Sequence, residues 1–186
     1  MSGVKSRRRA EDRLALDQEL RAGIPRHELV GYLQPLVNLA TGAVDSAEML
    51  VRWQHPTRGL LPPAEFVPWA EESDLVHAIG AAMLEATCTY LAARAPADRF
   101  VISINPAARE IVDPGYADRT LSVPSRHGLP GTVLGVEVTE SIAIARMDAV
   151  LANLHALRAA GVRIYLDDFG TGTRGWDTCD SCRSTC

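Results

Sequence analysis

The sequence predicts an α/β fold: a mainly parallel sheet or barrel with both faces covered. Three observations carry this. Short apolar runs at 99–105, 133–141 and 162–170 alternate with helical patterns such as 147–161, and strands alternating with helices imply parallel crossovers. Each run ends on carboxylates or an amide, at the strand end where α/β barrels place their chemistry. The chain has 186 residues, 47% of them hydrophobic, enough for one domain with a real core.

The elements follow in order. Residues 10–23 carry Leu16 and Leu20 at helical spacing among charges and read as a helix ending near Gly23. The β-type run 28–39 closes on the turn Ala40-Thr41-Gly42, and 43–53 resumes as a strand, so a hairpin is expected. Pro62 and Pro63 are placed to open a short helix. From Ser73 a longer helix runs, with Leu75, Ile79, Met83, Ala86 and Tyr90 as its apolar stripe, and Pro96 ends it. The strand 99–105 ends on Asn105. The strand 133–141 carries Glu137 and Glu140 at its end. The helix 147–161 turns Val150, Leu154 and Leu157 inward and has Gly161 at its C-terminus. The strand 162–170 ends on Asp167 and Asp168.

A net charge of −4 argues against a dedicated nucleic-acid binder. The basic cluster Lys5, Arg7, Arg8 and Arg9 reads as a solvated arm or linker over residues 1–9. No apolar run is long enough to span a membrane, and no hydrophobic segment follows the arginines as in a signal peptide. A soluble cytoplasmic chain is expected. Cys88 falls in a helical stretch and reads as a small core residue.

If Glu48, Asn105, Glu137, Asp167 and Asp168 converge, they form an all-oxygen cluster of high negative charge. Several carboxylates share a pocket at a large cost unless a cation neutralises them. Oxygen-only ligands favour Mg²⁺ or Mn²⁺ over zinc. Such an ion can bind phosphate oxygens and activate water for phosphodiester hydrolysis. A single carboxylate after a strand is more often a solvated loop residue or a cap, and Glu48 alone reads that way. Adjacent Asp167 and Asp168, behind an apolar run and before a glycine turn, are less easily dismissed.

Five segments together resemble the EAL domain, a family of bacterial cyclic-di-GMP phosphodiesterases. "YLQPLVNLATGAV" resembles its opening strand. "SAEMLVRWQHPTRGLLPPAEFVPWAEESDLV" resembles its signature region, with Glu48-Met49-Leu50 where the family has Glu-Ala-Leu. "ISINPAARE", "VEVTES" and "YLDDFGTG" resemble its asparagine strand, glutamate pair and double-aspartate loop. The motifs keep the family's order over residues 10–172. The resemblance implies a modified TIM-like (β/α)8 barrel that hydrolyses cyclic-di-GMP to linear pGpG. It implies Glu48, Asn105, Glu137 and Asp167 as metal ligands, and Asp168 as ligand to a second metal or its water. Gln34, Leu50 and Arg52 would contact substrate, with the Arg52 guanidinium on phosphate. Glu140 would steady the 168–172 loop, which takes part in family dimerisation. The start of the chain resembles the join that follows a diguanylate-cyclase-type domain.

The resemblance stops at Gly172. The family's later lysine, catalytic glutamate and glutamine find no counterpart, so an open barrel lacking its last strands is expected. Five strand positions can be assigned, and 162–168 should be an exposed edge. Little turnover is then expected, or a non-catalytic module that binds cyclic-di-GMP or another protein. Residues 173–186 hold Cys179, Cys182 and Cys186. These could be three zinc ligands, one short of a structural site. The alternative is a shifted reading frame: one GC-rich codon choice, read a frame away, gives a Tyr-Ser-Arg-Leu run like the family's continuation.

Overall fold

The computed structural model describes residues 14–96, 99–139 and 147–167. Helix α1 runs through 14–23, with Leu16 and Leu20 buried. Strands β1 (Leu29–Val37) and β2 (Val44–His55) form the expected antiparallel hairpin, and β3 (Gly59–Leu61) adds antiparallel to the far end of β2. The hairpin turn is built by Asn38, whose Oδ1 accepts the Ala40 and Thr41 N–H groups at 3.0 and 3.3 Å. Gly42 then takes φ 71°, a conformation that other residues adopt only at a cost. Pro35 is accommodated within β1 because that strand pairs on one side among the described residues.

A 3-10 turn at Pro63–Glu65 leads into the short helix α2 (Val67–Ala70), then α3 (Leu75–Ala92). The buried residues of α3 are Leu75, Val76, Ile79, Met83, Leu84, Thr87, Cys88 and Leu91. The expected stripe holds in its first half. Beyond Met83 it turns, leaving Ala86 and Tyr90 half-buried. The helix lies both on the sheet and against a later helix, so it covers a wider arc than one line of residues. By length and composition, with a mean hydropathy of 1.3, α3 could cross a membrane. The expectation that no segment reaches that length is corrected. Its packing against β1 and β2 makes it a core helix.

Strand β4 (Val101–Ile104) is followed by α4 (Ala108–Ile111) and α5 (Tyr116–Arg126), then β5 (Leu134–Thr139), α6 (Met147–Ala159) and β6 (Arg163–Asp167). The sheet order is β1-β2-β4-β5-β6, with β3 on β2. The β2–β4, β4–β5 and β5–β6 pairs are parallel. This is the partial wall of a TIM-like barrel. Its six strands exceed the five expected by the short β3. Among the described residues, β6 is an edge, as expected, and Leu166 on it is 51% exposed.

The helices cover one side of the sheet. Ala47, Met49, Ile102, Ile104, Leu134, Val136 and Val138 point into that core with Trp53 and Phe66. Cys88 is fully buried in it, and burial pushes its thiol up to about 12. The basic arm and Cys179, Cys182 and Cys186 lie outside the described residues.

Candidate functional site

Strand alternation decides which side chains meet on the other side. Gln34 stands opposite Glu48, Tyr32 opposite Leu50 and Val30 opposite Arg52. Glu48 is level with Ser103, Ser103 with Gly135, Glu137 with Tyr165, and Thr139 with Asp167. In-register neighbours share a face, and so do residues two apart. Gln34, Tyr32, Glu48, Leu50, Arg52, Ser103 and Glu137 therefore lie on one face, opposite the helices. Asp167, the last residue of β6, stands level with Thr139, two residues beyond Glu137 along β5.

Side-chain contacts tie these residues together. Asn105, just past β4, donates from Nδ2 to Glu48 Oε1 at 2.6 Å and so joins β2 to the β4 terminus. The buried Ser103 hydroxyl donates to Glu137 Oε1, with the Ala47 carbonyl 3.4 Å away on its other side. Gly135 leaves room for this: a Cβ there would meet Tyr165 Cε2 at 2.7 Å and Ser103 Cβ at 3.0 Å. The Arg52 guanidinium carbon lies 5.9 Å from the centre of the Tyr32 ring, a cation–π contact, and Nη1 donates to the Val51 carbonyl at 2.8 Å.

Two placements differ from the sequence reading. Glu48 sits in the middle of β2, not at a strand end. The parallel pairing of β2 with β4 covers only Ser46–Glu48, and beyond it β2 continues as the hairpin arm. Glu48 is thus at the end of the barrel-like part of its strand. Glu137 lies inside β5 rather than at its terminus. Asp168, Glu140 and the 168–172 loop lie outside the described residues, as does the Asp167 side chain.

Sequence reasoning missed Ser103, Tyr32 and Gly135. Ser103 had a signal: it is the one polar residue within the apolar run Val101–Ile104. The pairing of Tyr32 with Arg52 had none, because it depends on the hairpin register.

Among the described residues, no three His, Cys, Asp or Glu side chains gather as a metal-binding group. The donors that do meet are a carboxylate and a carboxamide, Glu48 and Asn105, with Glu137 on the same face. Oxygen donors of this kind suit a hard divalent cation rather than zinc. An arginine and a glutamine beside them suit a phosphate-bearing ligand.

Comparisons with known proteins place the sequence and the fold among relatives. The sequence profile of the EAL domain family matches residues 17–179. An uncharacterized signaling protein of Caulobacter vibrioides is 39% identical over 170 residues, 91% of this chain and 21% of its own length. The bifunctional diguanylate cyclase/cyclic di-GMP phosphodiesterase MucR of Pseudomonas aeruginosa is 36% identical over 165 residues, 88% of this chain and 24% of its own length. The chain thus spans about a fifth to a quarter of these relatives. Among solved structures, the MucR phosphodiesterase in complex with c-di-GMP superposes with a TM-score of 0.79 at 37% identity, covering 87% of this chain and 66% of that one. The EAL enzyme Bd1971, bound to cAMP and cyclic-di-GMP, gives 0.81 at 26% identity over 94% of this chain and 49% of that one.

Proposed function

The chain belongs to the EAL domain family, and from that premise we propose that its helix-free sheet face binds cyclic-di-GMP for hydrolysis to linear pGpG. One observation carries the reading: a single face collects Gln34, Arg52, Glu48, Asn105 and Glu137, with Glu48 and Asn105 already in contact at 2.6 Å. Arg52 is suited to a phosphate, because its guanidinium is held against the Tyr32 ring with most of its N–H donors uncommitted to Val51. Gln34, level with Glu48, offers both a donor and an acceptor to a base or ribose.

Glu48, Asn105, Glu137, Asp167 and Asp168 would hold Mg²⁺ or Mn²⁺, which when bound supplies charge neutralisation and an activated water. The chain's own part is positioning. Asn105 orients Glu48, Ser103 orients Glu137, and Arg52 fixes the phosphodiester above them. The resemblance assigns no residue of these 186 to the family's general base or lysine. Positioned general-base catalysis is typically worth ~10²–10⁴-fold. The 186-residue chain by itself is therefore expected to bind the nucleotide and turn it over slowly. The name of MucR joins a phosphodiesterase to a cyclase. By analogy, a cyclase-type domain preceding residues 10–172 in the parent protein is part of the proposal.

Calorimetric titration with cyclic-di-GMP in Mn²⁺ checks the reading. Arg52→Ala should weaken binding about 10-fold, the loss of one charge-assisted contact. Binding unaffected by that change would contradict it.

A further inference from the structure

On the helix side of the sheet a cavity of about 560 Å³ lies between α3 and α5 and reaches the 105–107 loop. That is the size of a small-molecule site. Its walls are mainly aliphatic, including Val76, Ile79, Met83, Leu84, Ile104 and Val123. Two polar groups interrupt them. Glu110 is 7% exposed. Its Oε2 accepts the Ala107 N–H at 3.0 Å, while Oε1 occupies the space beside Gly80, where a Cβ would collide with it. Tyr116 is 6% exposed, and its buried hydroxyl makes no hydrogen bond. Thr120, one turn on, is its nearest hydrogen-bonding side chain, and that contact falls short of hydrogen-bond geometry. An unsatisfied buried hydroxyl costs about 1–3 kcal/mol and calls for a partner.

The charge balance of the cavity says what the partner is. Its ionisable lining is Glu71, His77, Glu110 and Arg119. Arg119 is taken up by Asp113, through Nη1 to Oδ1 at 3.3 Å and Nη2 to Oδ2 at 3.2 Å. Glu110 therefore makes no direct ion pair among the described residues, the Arg119 charge reaching it only from a distance, and a buried carboxylate is stabilised by a paired donor of positive charge. We propose that this cavity binds a small apolar primary amine, its body against the aliphatic walls and its ammonium donating to Glu110 and to the Tyr116 oxygen. An ammonium has three donors and no acceptor, which matches the Glu110 carboxylate and the lone pairs of the Tyr116 oxygen. Leu50 and Asn105 line both this cavity and the nucleotide face, but Glu110 and Tyr116 take no part in the latter, so neither reading depends on the other.

The test compares cyclohexylmethylamine with cyclohexylmethanol, which share a body and differ in the head, by calorimetric titration of the full chain about one pH unit above the Glu110 midpoint. The amine should bind about 10-fold more tightly than the alcohol. Glu110→Gln should abolish that preference, and Gly80→Ala should weaken both. Failure of the amine to bind, equal binding of the two in the wild type, or a preference that survives Glu110→Gln would overturn the proposal. A measurement on the wild type is independent of any variant's folding. The ¹³C carboxyl signal of Glu110, followed near its midpoint, should move toward the ionised position as cyclohexylmethylamine is added, and an unmoved signal would equally overturn it.

Discussion

Burial raises the Glu110 carboxyl from its ordinary range to about 7, against the Ala107 N–H and the Arg119 charge, which favour ionisation. The folded chain therefore holds this proton more tightly than the unfolded chain. Its contribution to stability is full below the ordinary carboxylate range and is lost as the pH rises through about 7. The swing is at most roughly 3 kcal/mol. Tyr116, Arg119, His77 and Glu71 line the same cavity. Glu110→Gln should flatten the urea midpoint against pH between about 5 and 8, with the variant the more stable at the alkaline end. An unchanged slope would show that Glu110 is not buried as described. Glu28, Asp45 and Asp113 work in the opposite sense. Hydrogen bonds, from Arg26, Asn38 and Arg119 respectively, hold these carboxyls below their usual range, so what they add is lost only as the pH falls through it. At the same scale, Gly135→Ala should cost about 1–3 kcal/mol by overpacking Ser103 and Tyr165. It should also weaken cyclic-di-GMP binding through Glu137. Thermal melts and titration of the variant would check both parts.

At the scale of elements, the joints are more informative than the elements themselves. Asn153 on α6 is 3% exposed. Its Nδ2 donates to the Ile111 and Asp113 carbonyls at 2.7 and 2.8 Å, and its Oδ1 accepts the Ala117 N–H at 3.3 Å. One side chain thus satisfies both sides of the α4–α5 joint. Asn153→Ala should destabilise the chain by about 2 kcal/mol or more, since the buried Ile111 carbonyl and Ala117 N–H lose this partner while the Asp113 carbonyl keeps the Tyr116 N–H. Hydrogen exchange at the Ala117 amide should accelerate with it. The sequence offered no periodic signal for Asn153, because it sits on a face otherwise read from Val150, Leu154 and Leu157. Helix α5 was invisible for a related reason. It is only 11 residues long, follows Pro114 and Gly115, and contains Pro124 near its end, all of which read locally as loop. Tertiary packing overrode those breakers: Tyr116, Ala117, Thr120 and Val123 are buried against neighbouring helices. By contrast the β1–β2 hairpin, α3 and α6 were legible, since each has a long periodic run bounded by its own turn or cap.

For the whole molecule, the sheet order converts a linear series of motifs into one surface. The polar strand residues were legible as candidates from their place in the apolar runs and from the family resemblance. Their shared face was not, because it depends on registers between strands as much as 57 residues apart, as for Asn105 and Glu48. Register also separates the two sides sharply. Leu50 lies on the face of Glu48 and Arg52, whereas its neighbours Met49 and Val51 belong to the helix-covered core, as does Leu33 opposite Met49. Methyl resonances of these four residues, followed as cyclic-di-GMP and Mn²⁺ are added, test the central claim most directly. The account predicts that Leu50 shifts while Met49, Val51 and Leu33 stay in place. Shifts confined to the core methyls, or no shift at Leu50 under saturating nucleotide, would contradict it.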